Sequence, residues 1–122
     1  VRQFRHGLKT VTTEFCAGGI EGGEKDSALL AAKRELEEET GYVSDHWKHI
    51  YTIPSNPTIA DNYAYLYYAD DCEKVSNQHL DSTEFLEVKE YTEDEINDLI
   101  KNNEFVQPIH LMGWLMVKKG VL

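Results

Sequence analysis

Glu35, Glu38 and Glu39 stand at i, i+3 and i+4 within DSALLAAKRELEEET, residues 26–40. If that stretch is a helix, the three carboxylates share one face. Like charges so placed weaken a helix by about 0.2–0.5 kcal/mol per pair. A divalent cation held among them removes the repulsion. A donor set made only of oxygens selects hard ions, Mg²⁺ or Mn²⁺, over zinc. Taken alone, such a helix reads as a solvated acidic face. The preceding residues add a second signal. AGGIEGGE, residues 17–24, has glycine at half its positions, a density that no regular element tolerates. A glycine-rich loop running into a helix N-terminus offers backbone N–H groups and a positive dipole end to an anion.

These residues must be positioned by a larger frame. RQFRHGLKTVTTEFC (2–16) reads as a hairpin of two strands with His6-Gly7 at the turn. The acidic helix has Asp26 or Ser27 as its cap and Gly41 as its stop, with Leu29, Ala32 and Leu36 as its packing stripe. HWKHIYTI (46–53) reads as a strand and SNPTIADN (55–62) as a loop. YAYLYYA (63–69) is apolar on both faces, which predicts a central strand whose tyrosines lie in the core. A polar connection (70–83) precedes a strand predicted over FLEVKEY (85–91). Thr92 and Glu95 form a capping box for a helix TEDEINDLIKNN, and Pro108 opens a last helix within 107–119. The order β–β–α–β–β–β–α–α predicts a mixed sheet with helices on its faces.

Composition bounds the function. The chain has 122 residues, one domain's length, with 41% apolar and 28% charged residues. Twelve Lys and Arg against 22 Asp and Glu give a net charge of −10, which disfavours nucleic acid as a partner. An anionic substrate then needs a local cation. No run approaches the ~18 apolar residues of a membrane span, and no secretory leader is visible. Cys16 and Cys72 form no paired motif and read as reduced thiols of a cytoplasmic protein. Because the first residue is Val1 rather than Met, an upstream segment is expected to be missing. His46 and His49 read as surface residues, and Trp47 and Trp114 as core anchors.

The run Arg34-Glu35-Leu36-Glu37-Glu38-Glu39-Thr40-Gly41-Tyr42 resembles the second half of the Nudix box, R-E-U-x-E-E-x-G-U, with U a bulky apolar residue, at every specified position. Gly18 and Glu24 match the first half, G-x5-E, but nine residues rather than the family's seven separate Glu24 from Arg34. The resemblance implies one Nudix hydrolase domain over 1–122, an α/β/α sandwich with a mixed β-sheet. It implies a Mg²⁺-dependent hydrolase (Mn²⁺ substituting) that cleaves the pyrophosphate of a nucleoside diphosphate linked to another group. Glu35, Glu38 and Glu39 match the metal-holding positions, and Arg34 the arginine that orients them. Gly18 and Gly41 match structural glycines, and Glu37 falls on a solvated position.

Finer features resemble the ADP-ribose pyrophosphatase branch. Pro57 lies where that branch carries a proline, and EFCAGG is similar to its E-L-P-A-G with Cys16 in place of proline. LDSTEFLEV (80–88) is similar to its late acidic loop. The resemblance makes Glu84 the candidate catalytic base, with Glu38 or Glu39 as rivals, and the Ala17 carbonyl a further metal ligand. Arg2 and Arg5, with the backbone at Gly18 and Gly19, are candidates for holding phosphates. The implied substrate is ADP-ribose or a related nucleoside diphosphate sugar, and the implied assembly a homodimer. A Nudix enzyme of another substrate class (nucleoside triphosphate, dinucleoside polyphosphate, coenzyme A) and a non-catalytic nucleotide-binding module are the alternatives.

Overall fold

The structure is a computed structural model that describes residues 1–20, 27–80 and 86–120. Strands β1 (Arg2–Arg5) and β2 (Thr10–Thr13) pair antiparallel, with Arg2 opposite Thr13 and Arg5 opposite Thr10. The turn between them spans residues 6–9, and its left-handed residue is Lys9 (φ 54°), not Gly7.

Helix α1 (Ala28–Thr40) starts and stops where its local chemistry directs. Ser27 is the cap, its hydroxyl accepting from the Leu30 N–H. Gly41 ends the helix at φ 77°, where its N–H reaches the Glu37 carbonyl. A Cβ on Gly41 would also stand 1.9 Å from the Ser76 carbonyl oxygen, so the close approach of residue 76 requires glycine a second time. The buried positions of α1 are Ala31 and Glu39, whereas Leu29, Ala32 and Leu36 are only half-buried.

Strand β3 (Tyr42–Val43) pairs with β6 (Glu73–Lys74), and β4 (His46–Pro54) pairs with β5 (Tyr63–Asp70). Every ladder among the described residues is antiparallel and two-stranded. The β4–β5 register shifts between His49 and Tyr51. Helix α2 (Glu93–Lys101) opens on the Thr92–Glu95 capping box, and α3 (Pro108–Lys118) has Pro108 in its first turn. α1 packs on β5, and α3 on β4. Phe105, 2% exposed, with Ala31 and Ile96, forms the most buried apolar core among the described residues. Strands and helices together make the α/β fold class that the element order implies.

Two strand expectations are corrected. β5 pairs with β4 alone among the described residues, and Tyr63, Tyr65 and Tyr68 face solvent rather than a core. A tyrosine carries a polar tip that tolerates water, so aromatic density alone did not prove burial. Within 86–91 no strand forms, only an isolated bridge between Arg2 and Glu87. An alternating polar–apolar run without a long partner strand stays irregular. Both tryptophans are half-buried, His46 and His49 are exposed as expected, and Cys16 and Cys72 are free thiols.

Candidate functional site

The site is built where the chain leaving β2 crosses the carboxylate face of α1. Glu39, 4% exposed, accepts the Ala17 N–H on Oε2 at 3.1 Å. Glu35 lies against Gly18 so closely that a Cβ there would come within 2.0 Å of its carboxyl carbon. Arg34 donates through Nη1 to Glu35 Oε1 (2.8 Å) and to Glu38 Oε2 (2.9 Å), and through Nη2 to the Gly19 carbonyl (2.8 Å). One guanidinium thus neutralises part of the acidic cluster and fastens it to the loop. Glu35, Glu38, Glu39, Arg34, Ala17, Gly18 and Gly19 are therefore brought together, while Glu37 is exposed.

The donor set suits a hard divalent cation. Its groups are carboxylates, each with about four lone-pair sites, so a bond to Arg34 or Ala17 leaves capacity for an ion. The Glu35 carboxylate reaches the loop only because residue 18 has no side chain, its carboxyl group filling the place a Cβ would take. Among the described residues, no three His, Cys, Asp or Glu side chains already converge as a finished cage. Glu24 and Glu84 lie outside the described residues.

Two connections hold the parts in register. The segment after β6 caps the C-terminal end of α1, whose last carbonyls have no partner within the helix. His79 N–H donates to the Glu38 carbonyl (2.7 Å) and Val75 N–H to the Gly41 carbonyl (2.8 Å). Gln78 Nε2 donates to the Glu39 carbonyl at 2.8 Å and to the Leu86 carbonyl at 3.4 Å, linking α1 to the chain beyond residues 81–85. On the other side, Glu14 is buried, 4% exposed, and forked by Arg5, whose Nε lies 2.8 Å from Oε2. The Thr12 hydroxyl donates to the same oxygen at 2.7 Å. Burial alone would raise the Glu14 carboxyl, but these donors bring it below its ordinary value. Burial pushes the Cys16 thiol up to about 12, with the Glu39 charge adding to the rise, so it is not a nucleophile at neutral pH.

The candidate phosphate ligands fare differently. Arg5 spends its fork on Glu14, whereas Arg2 makes an exposed 3.4 Å pair with Glu87. Arg2 also borders a cleft of about 480 Å³ with Phe4, Val11, Leu80 and Leu86, the last two flanking residues 81–85. Pro57 lies in an exposed turn, 57–59, at the mouth of the β4–β5 hairpin. Sequence reasoning missed Glu14, Gln78 and His110, all of which act through partners distant in sequence or by polar contacts that no spacing announces.

The chain resembles known proteins. The chain is 34% identical over 124 residues to an ADP-ribose pyrophosphatase of Bacillus subtilis, covering 99% of this chain and 66% of that one. It is 37% identical over 102 residues to a methanol dehydrogenase activator of Bacillus methanolicus, covering 83% of this chain and 54% of the other. The chain thus spans between about half and two thirds of the length of these relatives. A crystal structure described as an ADP compounds hydrolase superposes with a TM-score of 0.82 at 20% identity, covering 98% of this chain and 63% of that one, which shows the fold. Residues 1–110 match the Nudix domain, and the chain belongs to that family.

Proposed function

We propose that this chain hydrolyses the pyrophosphate bond of ADP-ribose or a related nucleoside diphosphate sugar, giving AMP or its counterpart and a sugar phosphate. The observation that carries the reading is the meeting of Glu35, Glu39 and Arg34 with the Ala17–Gly19 backbone. The relative whose name specifies ADP-ribose supports the substrate.

Glu35, Glu38 and Glu39 would hold divalent metal, Mg²⁺ by preference, with the Ala17 carbonyl as a further oxygen ligand. When bound, the metal supplies charge neutralisation on the diphosphate and acidifies the attacking water. Arg34 keeps Glu35 and Glu38 oriented and limits their mutual repulsion. The Ala17 N–H fixes one oxygen of Glu39 and leaves the other directed by that constraint. Arg2 and the backbone at Gly18 and Gly19 receive the phosphates; Arg5 serves the frame through Glu14. A carboxylate accepts the water proton as the new P–O bond forms and the bond to the bridging oxygen breaks. Glu84 is the first candidate for that base, with Glu38 or Glu39 as the alternatives. A homodimer is the expected assembly. No described helix is long and apolar enough to cross a membrane.

The test is a substrate panel. Purified protein with Mg²⁺ is offered ADP-ribose, an ADP-sugar, a nucleoside triphosphate, a dinucleoside polyphosphate and coenzyme A, with products resolved by chromatography. ADP-ribose or the ADP-sugar should be cleaved fastest, to a nucleoside monophosphate. An intact ADP-ribose pool beside rapid cleavage of another member overturns the substrate assignment.

A further inference from the structure

We propose that His110 is a positioning residue: from α3 it holds the Phe15 amide, and so sets the Ala17–Gly19 backbone against the carboxylates of α1. The inference rests on the reading of that loop and helix as the hydrolytic site.

The Phe15 N–H donates to His110 Nδ1 at 3.2 Å, across 95 positions of sequence. The neutral ring must then carry its proton on Nε2, because Nδ1 is the acceptor. The two rings stack with centroids 6.0 Å apart, and Phe15 also meets Phe105 edge-on at 5.0 Å. Phe105 is the most buried large side chain among the described residues, so Phe15 is anchored on the core. The backbone under the ring is fixed too, since the His110 main-chain N–H donates to Oε1 of Gln107, the N-cap of α3 (3.0 Å). One residue earlier, Glu14 is clamped by Arg5 and Thr12. Both residues at the root of the site loop are therefore held. Only Cys16 separates them from Ala17, whose N–H meets Glu39 at 3.1 Å. Releasing the Phe15 amide frees a backbone rotation that moves Ala17 and Gly18 directly. Groups that orient metal-binding side chains indirectly are worth roughly 10- to 100-fold in metal affinity.

The experiment compares the wild-type chain with His110→Asn, whose Oδ1 offers an acceptor in the place of Nδ1, and His110→Leu, which offers none. Thermal melts establish folding, and His110→Ser replaces the leucine variant if that one does not fold. Two quantities are read: the Mg²⁺ concentration giving half-maximal hydrolysis of ADP-ribose, and hydrogen exchange of the Phe15 amide by NMR without metal. His110→Leu should need roughly 10- to 100-fold more Mg²⁺, with KM for ADP-ribose within about twofold of wild type. Its Phe15 amide should exchange about tenfold faster or more. His110→Asn should recover both. A wild-type Mg²⁺ requirement in the folded leucine variant overturns the proposal. So does equal impairment of the two variants, which assigns the effect to ring packing instead. If the wild type cleaves no diphosphate at all, the functional reading fails separately. Amide exchange then decides, and unchanged exchange in His110→Leu refutes the positioning role.

Discussion

Gly18→Ala separates chemistry from folding at a single atom. The new Cβ would stand 2.0 Å from the Glu35 carboxyl carbon and from Oε1, and 2.5 Å from Oε2. Ordinary contact begins near 3.4 Å, so the carboxylate must retreat by at least about 1.4 Å. It can do so, because the obstacle is the far end of a flexible side chain and Gly18 does not sit in the left-handed region. The retreat breaks its 2.8 Å bond with Arg34. That bond joins partly exposed groups, so its loss costs about 1 kcal/mol of stability, or a fall in melting temperature of roughly 3–5 °C. The catalytic cost is larger: displacing a reacting group by about 1 Å can cost 100-fold, or about 2.7 kcal/mol. The assay is kcat with ADP-ribose at saturating Mg²⁺, beside a thermal melt. Gly7→Ala is the control, since nothing lies within 4 Å of its added Cβ. A Gly18→Ala enzyme with wild-type kcat and Mg²⁺ requirement refutes the reasoning.

Other perturbations should sort by the same logic. Gly41→Ala meets backbone, not a mobile side chain, at 1.9 Å and φ 77°; it should cost about 1–3 kcal/mol or more in a denaturant titration, with activity lost by unfolding. Glu39→Gln keeps an acceptor for the Ala17 N–H but not the charge, so kcat should fall by roughly 100-fold or more while the melt stays within a few degrees. Stability should also decline in acid in two stages. Burial holds His110 below its ordinary value of 6.5, against the pull of Glu14 and with help from Arg5 and the N-terminal ammonium. The unfolded chain therefore binds more protons there, and the His110 contribution is complete above about pH 6.5 and lost as pH falls below it. Glu14, held below 4.5 in the fold, contributes fully above that value and is lost only as the medium becomes more acid. Melts from neutral pH down to about pH 2 check both stages, and His110→Asn should erase the upper one.

What the sequence disclosed was local. Ser27, Gly41, the Thr92–Glu95 box and Pro108 mark helix ends through bonds spanning a few residues, and each helix lies where they put it. The i, i+3, i+4 spacing of Glu35, Glu38 and Glu39 located the acidic face for the same reason. The tertiary partners were not legible. Nothing near Arg5 distinguishes a phosphate ligand from a partner of Glu14, because both uses ask for the same fork. The pairing of His110 with Phe15 depends on how α3 packs, which no window of sequence contains. The strand expected over 85–91 does not form in its described part, 86–91, because a strand is defined by its neighbour, and among those residues only Glu87 finds one. Glu84, the proposed base, falls outside the described residues.

The capping of α1 by Val75, Gln78 and His79 bears on how the protein is made. During synthesis the acidic turn leaves the ribosome well before the groups that complete it, so the Glu38, Glu39 and Gly41 carbonyls lack these partners until that later stretch emerges. A nascent chain halted near residue 70 would carry a frayed turn at the position where the carboxylates sit. Maturation of the acidic site is in this sense a late event of translation, timed by a polar connector rather than by the helix itself.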